Sequence, residues 1–168
     1  MKRRAWLSVL PIAVFAAYGL AASAGVRVNT TPSVPVGFWH LSNTGEGIFR
    51  GDTVEVCVPP WPNVVIGRGN CPSDTMPMVK PVRAVAGDVV QITPLGVAVN
   101  GLLVTGPVPP PETFAAPVAR VPDGLYQVRV GEAWILSDRH SRSFDSRYFG
   151  PVRLDWIRAK AAPLLVLP

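Results

Sequence analysis

The sequence predicts a single membrane-length apolar helix followed by a compact, mainly antiparallel β-domain. Three observations carry this reading. Residues 5–26 contain no charged side chain. The rest of the chain is broken up by 19 prolines and 15 glycines in 168 residues, with no long amphipathic helical pattern. Between these breakers lie short runs that alternate apolar and polar side chains, as half-buried strands do. A chain of this length allows one modest domain. We divide it into a leader, 1–26, and a folded domain, 27–168, and find no internal repeat.

As a helix rising 1.5 Å per residue, the leader spans roughly 30 Å, the thickness of a bilayer core. Lys2, Arg3 and Arg4 precede it, so the positive-inside bias keeps the N-terminus cytoplasmic and exports the domain. Two readings compete: a retained anchor, or a cleavable signal peptide ending at Ala22-Ser23-Ala24. The run is longer than a typical signal-peptide core, which favours the anchor.

The strand candidates come in order. Thr53-Val54-Glu55-Val56-Cys57-Val58 alternates cleanly. Residues 78–85 and 89–92 are two more, separated by Ala86-Gly87-Asp88. Val97-Ala98-Val99-Asn100-Gly101-Leu102-Leu103-Val104 is a hairpin pattern, because Asn and Gly both tolerate the positive φ of a type I′ turn. Residues 107–122 are proline-rich and read as a surface loop. Residues 125–130 and 133–136 resume the strand pattern, and the apolar tail 157–167 closes the sheet despite Pro163.

Charge and cysteine content exclude several classes. The net charge of +5 comes from 16 basic and 11 acidic residues. Without Lys2, Arg3 and Arg4 the balance is 13 against 11, or +2. No basic stripe interleaves with aromatics, so nucleic-acid binding is not indicated. Cys57 and Cys71 are the two cysteines. In an exported domain an even count suggests one disulfide, closing a short Pro/Gly-rich loop; two reduced, buried thiols are the alternative. With only His40 and His140 elsewhere, no metal-ligand set is recognisable, and no cofactor is expected.

The chemistry-bearing residues are a serine, a lysine and a polar block. Ser33 lies in Asn29-Thr30-Thr31-Pro32-Ser33-Val34-Pro35-Val36-Gly37-Phe38-Trp39, where two prolines and a glycine fix a rigid turn. A serine hydroxyl needs a base and donors for the oxyanion that develops on attack. A lysine serves as that base if burial leaves it neutral. Lys80 sits in the apolar stretch Met76-Pro77-Met78-Val79-Lys80-Pro81-Val82. Taken alone, it is more simply a strand lysine pointing to solvent. Ser33 follows Val26 by 7 residues, so the serine lies within roughly 25 Å of the leader.

Taken jointly, these segments resemble the type I signal peptidase family of serine–lysine peptidases (S26). Ser33 with a proline two residues on resembles the serine box. Arg50-Gly51-Asp52-Thr53-Val54 is similar to the Gly-Asp-x-Val segment. Lys80-Pro81-Val82-Arg83-Ala84-Val85-Ala86-Gly87-Asp88 resembles the lysine box. Residues 138–147, with Ser143, Asp145, Ser146 and Arg147, resemble the Ser-x-Asp-Ser-Arg box, and Tyr148-Phe149-Gly150-Pro151-Val152 continues it. Four boxes in order make the match specific.

The resemblance implies a signal-peptidase-like β-domain in which Ser33 is the nucleophile and Lys80 the general base. It implies that Ser143 orients the lysine amine, and that Asp145 and Arg147 pair behind the site. Thr31 takes the place of an oxyanion-hole hydroxyl, with the Ser33 N–H as the second donor. There are departures: Ser137 replaces a glycine, Arg139-His140 replaces Asn-Arg, and the short stretch between Lys80 and Ser143 leaves no room for a large accessory β-domain. The pattern Thr-x-Ser-x-Pro-x-Gly-x-Trp resembles instead the conjugative-transfer branch, the TraF-type peptidases. That branch implies a pilin precursor as substrate, processed at the inner membrane by a domain facing the periplasm, beside type IV secretion components. The alternatives are a housekeeping enzyme cleaving exported preproteins, and a catalytically silent periplasmic scaffold module.

Overall fold

The computed structural model describes residues 11, 15–16, 19–62, 64, 66–109 and 118–167. Residues 19–23 are helical. The helix ends as the N–H groups of Ala24 and Gly25 donate back to the carbonyls of Leu20 and Ala22. The Arg27 guanidinium also donates to the Ala22 carbonyl, at 2.9 Å, placing a cation on the open acceptors of a helix C-terminus. Among the described residues no helix is long and apolar enough to cross a membrane. Residues 1–10, 12–14 and 17–18 of the expected anchor lie outside the described residues. Val26, the last residue of the expected leader, opens the first strand.

The domain is built from two antiparallel sheets. The larger contains β1 (Val26–Asn29), β2 (Gly37–Ser42), β3 (Thr53–Val56), β4 (Met78–Val85), β9 (Glu132–Ile135), β10 (Val152–Arg153) and β11 (Ile157–Val166), in the order β1-β2-β11-β3-β4-β9-β10. The smaller contains β5 (Val89–Thr93), β6 (Gly96–Val99), β7 (Leu102–Thr105) and β8 (Gly124–Gln127), in the order β7-β6-β5-β8. The mainly-β expectation holds, and every anticipated strand segment carries a strand. β1 and β2 were not anticipated. The first shares only Val26 with the expected leader and runs on for three residues, too short a run to signal a strand, and the second follows a proline-rich turn that masks its start.

Local chemistry explains the corners. Asn100 and Gly101 take φ of 51° and 81°, and Val99 faces Leu102 across the turn. The Asn100 side chain accepts from the Val89 N–H at 2.8 Å and donates to Asp88 at 3.0 Å, which ties the hairpin to β5. Gly37 opens β2 at φ 144°, where an added Cβ would lie 2.2 Å from the Leu165 carbonyl oxygen. Only glycine lets β2 and β11 approach there.

The buried side chains fall into three groups. Val54, Val56, Val82, Ile135, Val152 and Ile157 pack against the larger sheet. Val90, Ile92, Val97 and Val99 of the smaller sheet meet Ala84, Trp134 and Leu136, so the two sheets share a core. Val34, Trp39 and Ala161 form a third cluster under the serine turn. Each buried Val or Ile contributes about 1.5–3 kcal/mol.

Two features of the topology make room for a site. Among the described residues β1 is an edge strand, paired only with β2. β4 pairs with β3 over Met78, Val79, Lys80 and Pro81, but with β9 only from Val82 onward. Its first half therefore has no strand on its second side among the described residues. Cys57 and Cys71 are joined by a disulfide with their Cα atoms 5.6 Å apart, which settles the choice left open by the sequence. Arg158 of β11 donates to Asn70 Oδ1 at 2.8 Å and so pins the disulfide loop to the sheet.

Candidate active site

The turn 30–36 between β1 and β2 is organised from within. Asn29 is buried, and its amide nitrogen donates to the carbonyls of Thr31, Val34 and Pro35 at 2.8, 3.2 and 3.1 Å. Its Oδ1 accepts from the Thr31 N–H at 3.2 Å, an Asx turn. Trp39 Nε1 donates to the Pro35 carbonyl at 3.0 Å. The turn therefore has little freedom, and Ser33 at its centre is buried. The Thr31 hydroxyl donates to Asn29 Oδ1 at 2.9 Å. In this arrangement it braces the turn.

β4 brings Lys80 to the turn. Its Nζ lies 2.7 Å from Ser33 Oγ and 2.7 Å from Ser143 Oγ, and the two hydroxyls are 3.1 Å apart. Lys80 does not point to solvent: it is 4% exposed. Burial pulls its pKa from 10.5 down to about 8, against the opposing pull of the Asp145 carboxylate and with a smaller lowering from Arg147. With that pKa about one amine in ten is neutral at pH 7, a few hundred times the share in an exposed lysine.

The polar block 137–147 wraps around one buried ion pair. Asp145 caps the short helix Ser146–Phe149 by accepting from the Arg147 N–H. The Arg147 guanidinium meets the same carboxylate through two bonds of 2.8 Å. The side chains are 0% and 1% exposed, so this is not a surface salt bridge. Arg147 also donates to the carbonyls of Ser141 at 3.1 Å, Ser143 at 3.2 Å and His140 at 3.3 Å, holding the segment that presents Ser143 to Lys80. Ser146 Oγ accepts from the Ile135 N–H at 2.9 Å, fixing the block to β9.

Ser137 was read only as a departure from glycine. Its hydroxyl donates to the Ser33 carbonyl at 2.6 Å, while its own N–H donates to Asp145 at 3.1 Å. No local signal in the sequence pairs Ser137 with Ser33, because 104 residues separate them. Asn29 was also missed, although an Asn two residues ahead of Thr31 is an Asx-turn signal. The site opens into a cleft of about 610 Å³. Its walls include Arg27, Val28 and Asn29 of the β1 edge, Met78 and Val79 of β4, and Ile66, Gly69 and Asn70 of the disulfide loop. Among the described residues no group of three or more His, Cys, Asp or Glu is placed to hold a metal ion.

A buried serine, a buried lysine of lowered pKa and an open-edged cleft form an arrangement suited to acyl transfer. The family model described as "Signal peptidase, peptidase S26" matches residues 3–165. The chain belongs to this family.

Relatives within the signal peptidase S26 family include two proteins of Escherichia coli named "Plasmid transfer protein TraF". One is 38% identical, covering 88% of this chain and 86% of the relative; the other is 35% identical, covering 92% of each. The "Conjugal transfer protein TraF" of Agrobacterium fabrum is 29% identical, over 98% of this chain and 97% of that one. Among solved structures, a signal peptidase I from Enterococcus faecalis aligns with a TM-score of 0.39 and 18% identity, covering 67% of this chain and 95% of that one. The chain is thus an S26-family protein related to conjugative-transfer TraF proteins, with a mainly antiparallel β fold.

Proposed function

We propose that this chain is a serine endopeptidase, anchored in the inner membrane by its leader and facing the periplasm, that processes a pilin precursor during conjugative transfer. The observation that carries the reading is the 2.7 Å approach of a buried Lys80 amine to Ser33 Oγ. Membership of the signal peptidase S26 family and the kinship with TraF proteins support it.

The substrate lies extended along the open edges of β4 and β1, held by backbone pairing. Neutral Lys80 takes the Ser33 hydroxyl proton as Oγ attacks the scissile carbonyl carbon. One amine hydrogen stays on Ser143 Oγ, which aims the lone pair at Ser33. The Ser33 N–H receives the oxyanion, and Thr31 turns its hydroxyl from Asn29 to become the second donor. The tetrahedral adduct collapses, the C–N bond breaks, and the Lys80 ammonium returns its proton to the departing amine. An ester on Ser33 remains. It passes to water, or to the substrate's own N-terminal amine, which closes a ring and benefits from high effective concentration.

Purified full-length chain and its pilin precursor test this. Ser33→Ala and Lys80→Ala should each abolish processing, whereas processing that survives in Ser33→Ala overturns the reading. Intact mass separates the outcomes of the wild-type reaction. A product one water lighter than the linear hydrolysis product marks a ring, because aminolysis releases the peptide without taking up water. A linear product rejects cyclisation and leaves the endopeptidase.

A further inference from the structure

One charged side chain of the cleft has no part in that chemistry. Glu55 of β3 is 6% exposed and lines the cleft together with Ser33 and Lys80. It is the one acid among the described lining residues. A carboxylate taken this far out of water needs charge or hydrogen bonds in return. The chain supplies little. Glu55 faces Arg158 Nε at 3.8 Å, beyond hydrogen-bonding distance, while Arg158 makes its closer contact, 2.8 Å, with Asn70 Oδ1. Arg27, also in the lining, is turned back onto the carbonyls of Ala22 and Val26.

Strand register places the carboxylate. Glu55 pairs with Val79, and Val54 pairs with Lys80. Paired residues share a sheet face and neighbours along a strand alternate, so Glu55 and Val79 occupy the face opposite Val54 and Lys80. A peptide laid along the open edge of β4 alternates its side chains likewise, so the one beside Val79 lies on the face of Glu55, across the width of β4 from it. The cleft lining mixes the polar Asn70, His140 and Arg142 with apolar side chains, among them Val28, Ile66, Met76 and Val79. Such a wall accepts the methylene stem of a long cationic side chain while an acid takes its head.

We propose that Glu55 is a specificity residue: it selects substrates with a lysine or arginine side chain near the cleaved bond, by an ion pair on the cleft wall. This rests on the peptidase reading above. Charge-assisted hydrogen bonds are the strong ones, and leaving one partner unpaired in a buried site is costly. The expected discrimination is on the order of 10-fold to 100-fold.

The test uses full-length protein and synthetic ten-residue peptides in which one lysine is stepped through every position, each beside a norleucine control. Binding is measured in Ser33→Ala protein, so that turnover is not required. At one position lysine should bind at least about 10-fold tighter than norleucine. Adding Glu55→Gln should bring that ratio to about one. Glu55→Ala, measured alongside, guards against loss of the fold in either variant. Equal binding at all positions, a preference that survives both substitutions, or no binding by any peptide overturns the proposal. Wild-type turnover keeps the two readings apart. Cleavage with no lysine preference rejects the role of Glu55 and keeps the peptidase. A Glu55-dependent preference without cleavage rejects the peptidase and keeps Glu55 as a ligand-reading residue.

Discussion

The hydroxyl of Ser137 donates to the main-chain carbonyl of Ser33 at 2.6 Å. The same residue's N–H is held by Asp145 at 3.1 Å. Ser137 thus links the turn that carries the proposed nucleophile to the ion pair that shapes the polar block. Ser137→Ala removes the link and leaves the Ser33 carbonyl without that donor. It should lower kcat roughly 10-fold, an effect of about 1.4 kcal/mol, with the pH profile unmoved because Lys80 keeps its surroundings. Steady-state kinetics across pH check this, and a shifted profile would assign Ser137 a role in proton transfer instead.

Activity should rise with pH through an ionisation near 8, the lowered pKa of Lys80, because only the neutral amine accepts the serine proton. Lys80→Arg should be inactive at all pH values, since a guanidinium stays protonated. A flat kcat/KM profile between pH 6 and 9 counts against Lys80 as the base.

The same shift has a consequence for stability. The folded pKa of Lys80, about 8, lies below the ordinary 10.5, so between these values the unfolded chain binds the extra proton. Stability therefore rises with pH across this window. Below about 8 the folded protein bears the full cost of a buried ammonium. Lys80→Met should stabilise the domain by roughly 3 kcal/mol at pH 6, and the gain should vanish above about pH 10.5. Urea unfolding at the two pH values checks it.

Asp145 and Arg147 are paired at 2.8 Å with 0% and 1% exposure, so removing one strands the other. Asp145→Ala should cost about 3–5 kcal/mol and release Ser143 from its position. Conservative Asp145→Asn keeps the cap but leaves the Arg147 charge uncompensated, so it should also destabilise. Thermal unfolding of both variants reads this. A loss below about 1 kcal/mol, the usual value for a surface pair, contradicts the buried geometry.

The Cys57–Cys71 disulfide closes a loop that forms one wall of the cleft. Cys71→Ser should cost on the order of 3 kcal/mol by the chain-entropy estimate. It should raise KM more than it lowers kcat, because the loop lines the proposed substrate cleft and supplies neither of the hydrogen bonds to the Lys80 amine. Kinetics on the variant, below its unfolding temperature, separate the two effects.

The strands were legible because their signals are local. Alternation over 53–56 and 78–85 reports a half-buried sheet, and Asn100-Gly101 reports its turn. The candidate site residues were named as boxes of residue types carried by a family resemblance. What the sequence does not contain is which side chains meet: Lys80 reaches Ser33 across 47 residues and Ser143 across 63. Glu55 makes the point most sharply. Alternation puts it on the polar, outward side of its strand, yet it is 6% exposed, because β11 pairs along β3 and the disulfide loop adds a wall to the cleft beside it. Likewise the Thr31 hydroxyl went to Asn29, and Ser137 found the carbonyl of Ser33. Periodicity and turn chemistry act over a few residues and can be read from the chain alone. Burial and partner choice depend on which distant strands fold over a face, and only the tertiary structure decides that.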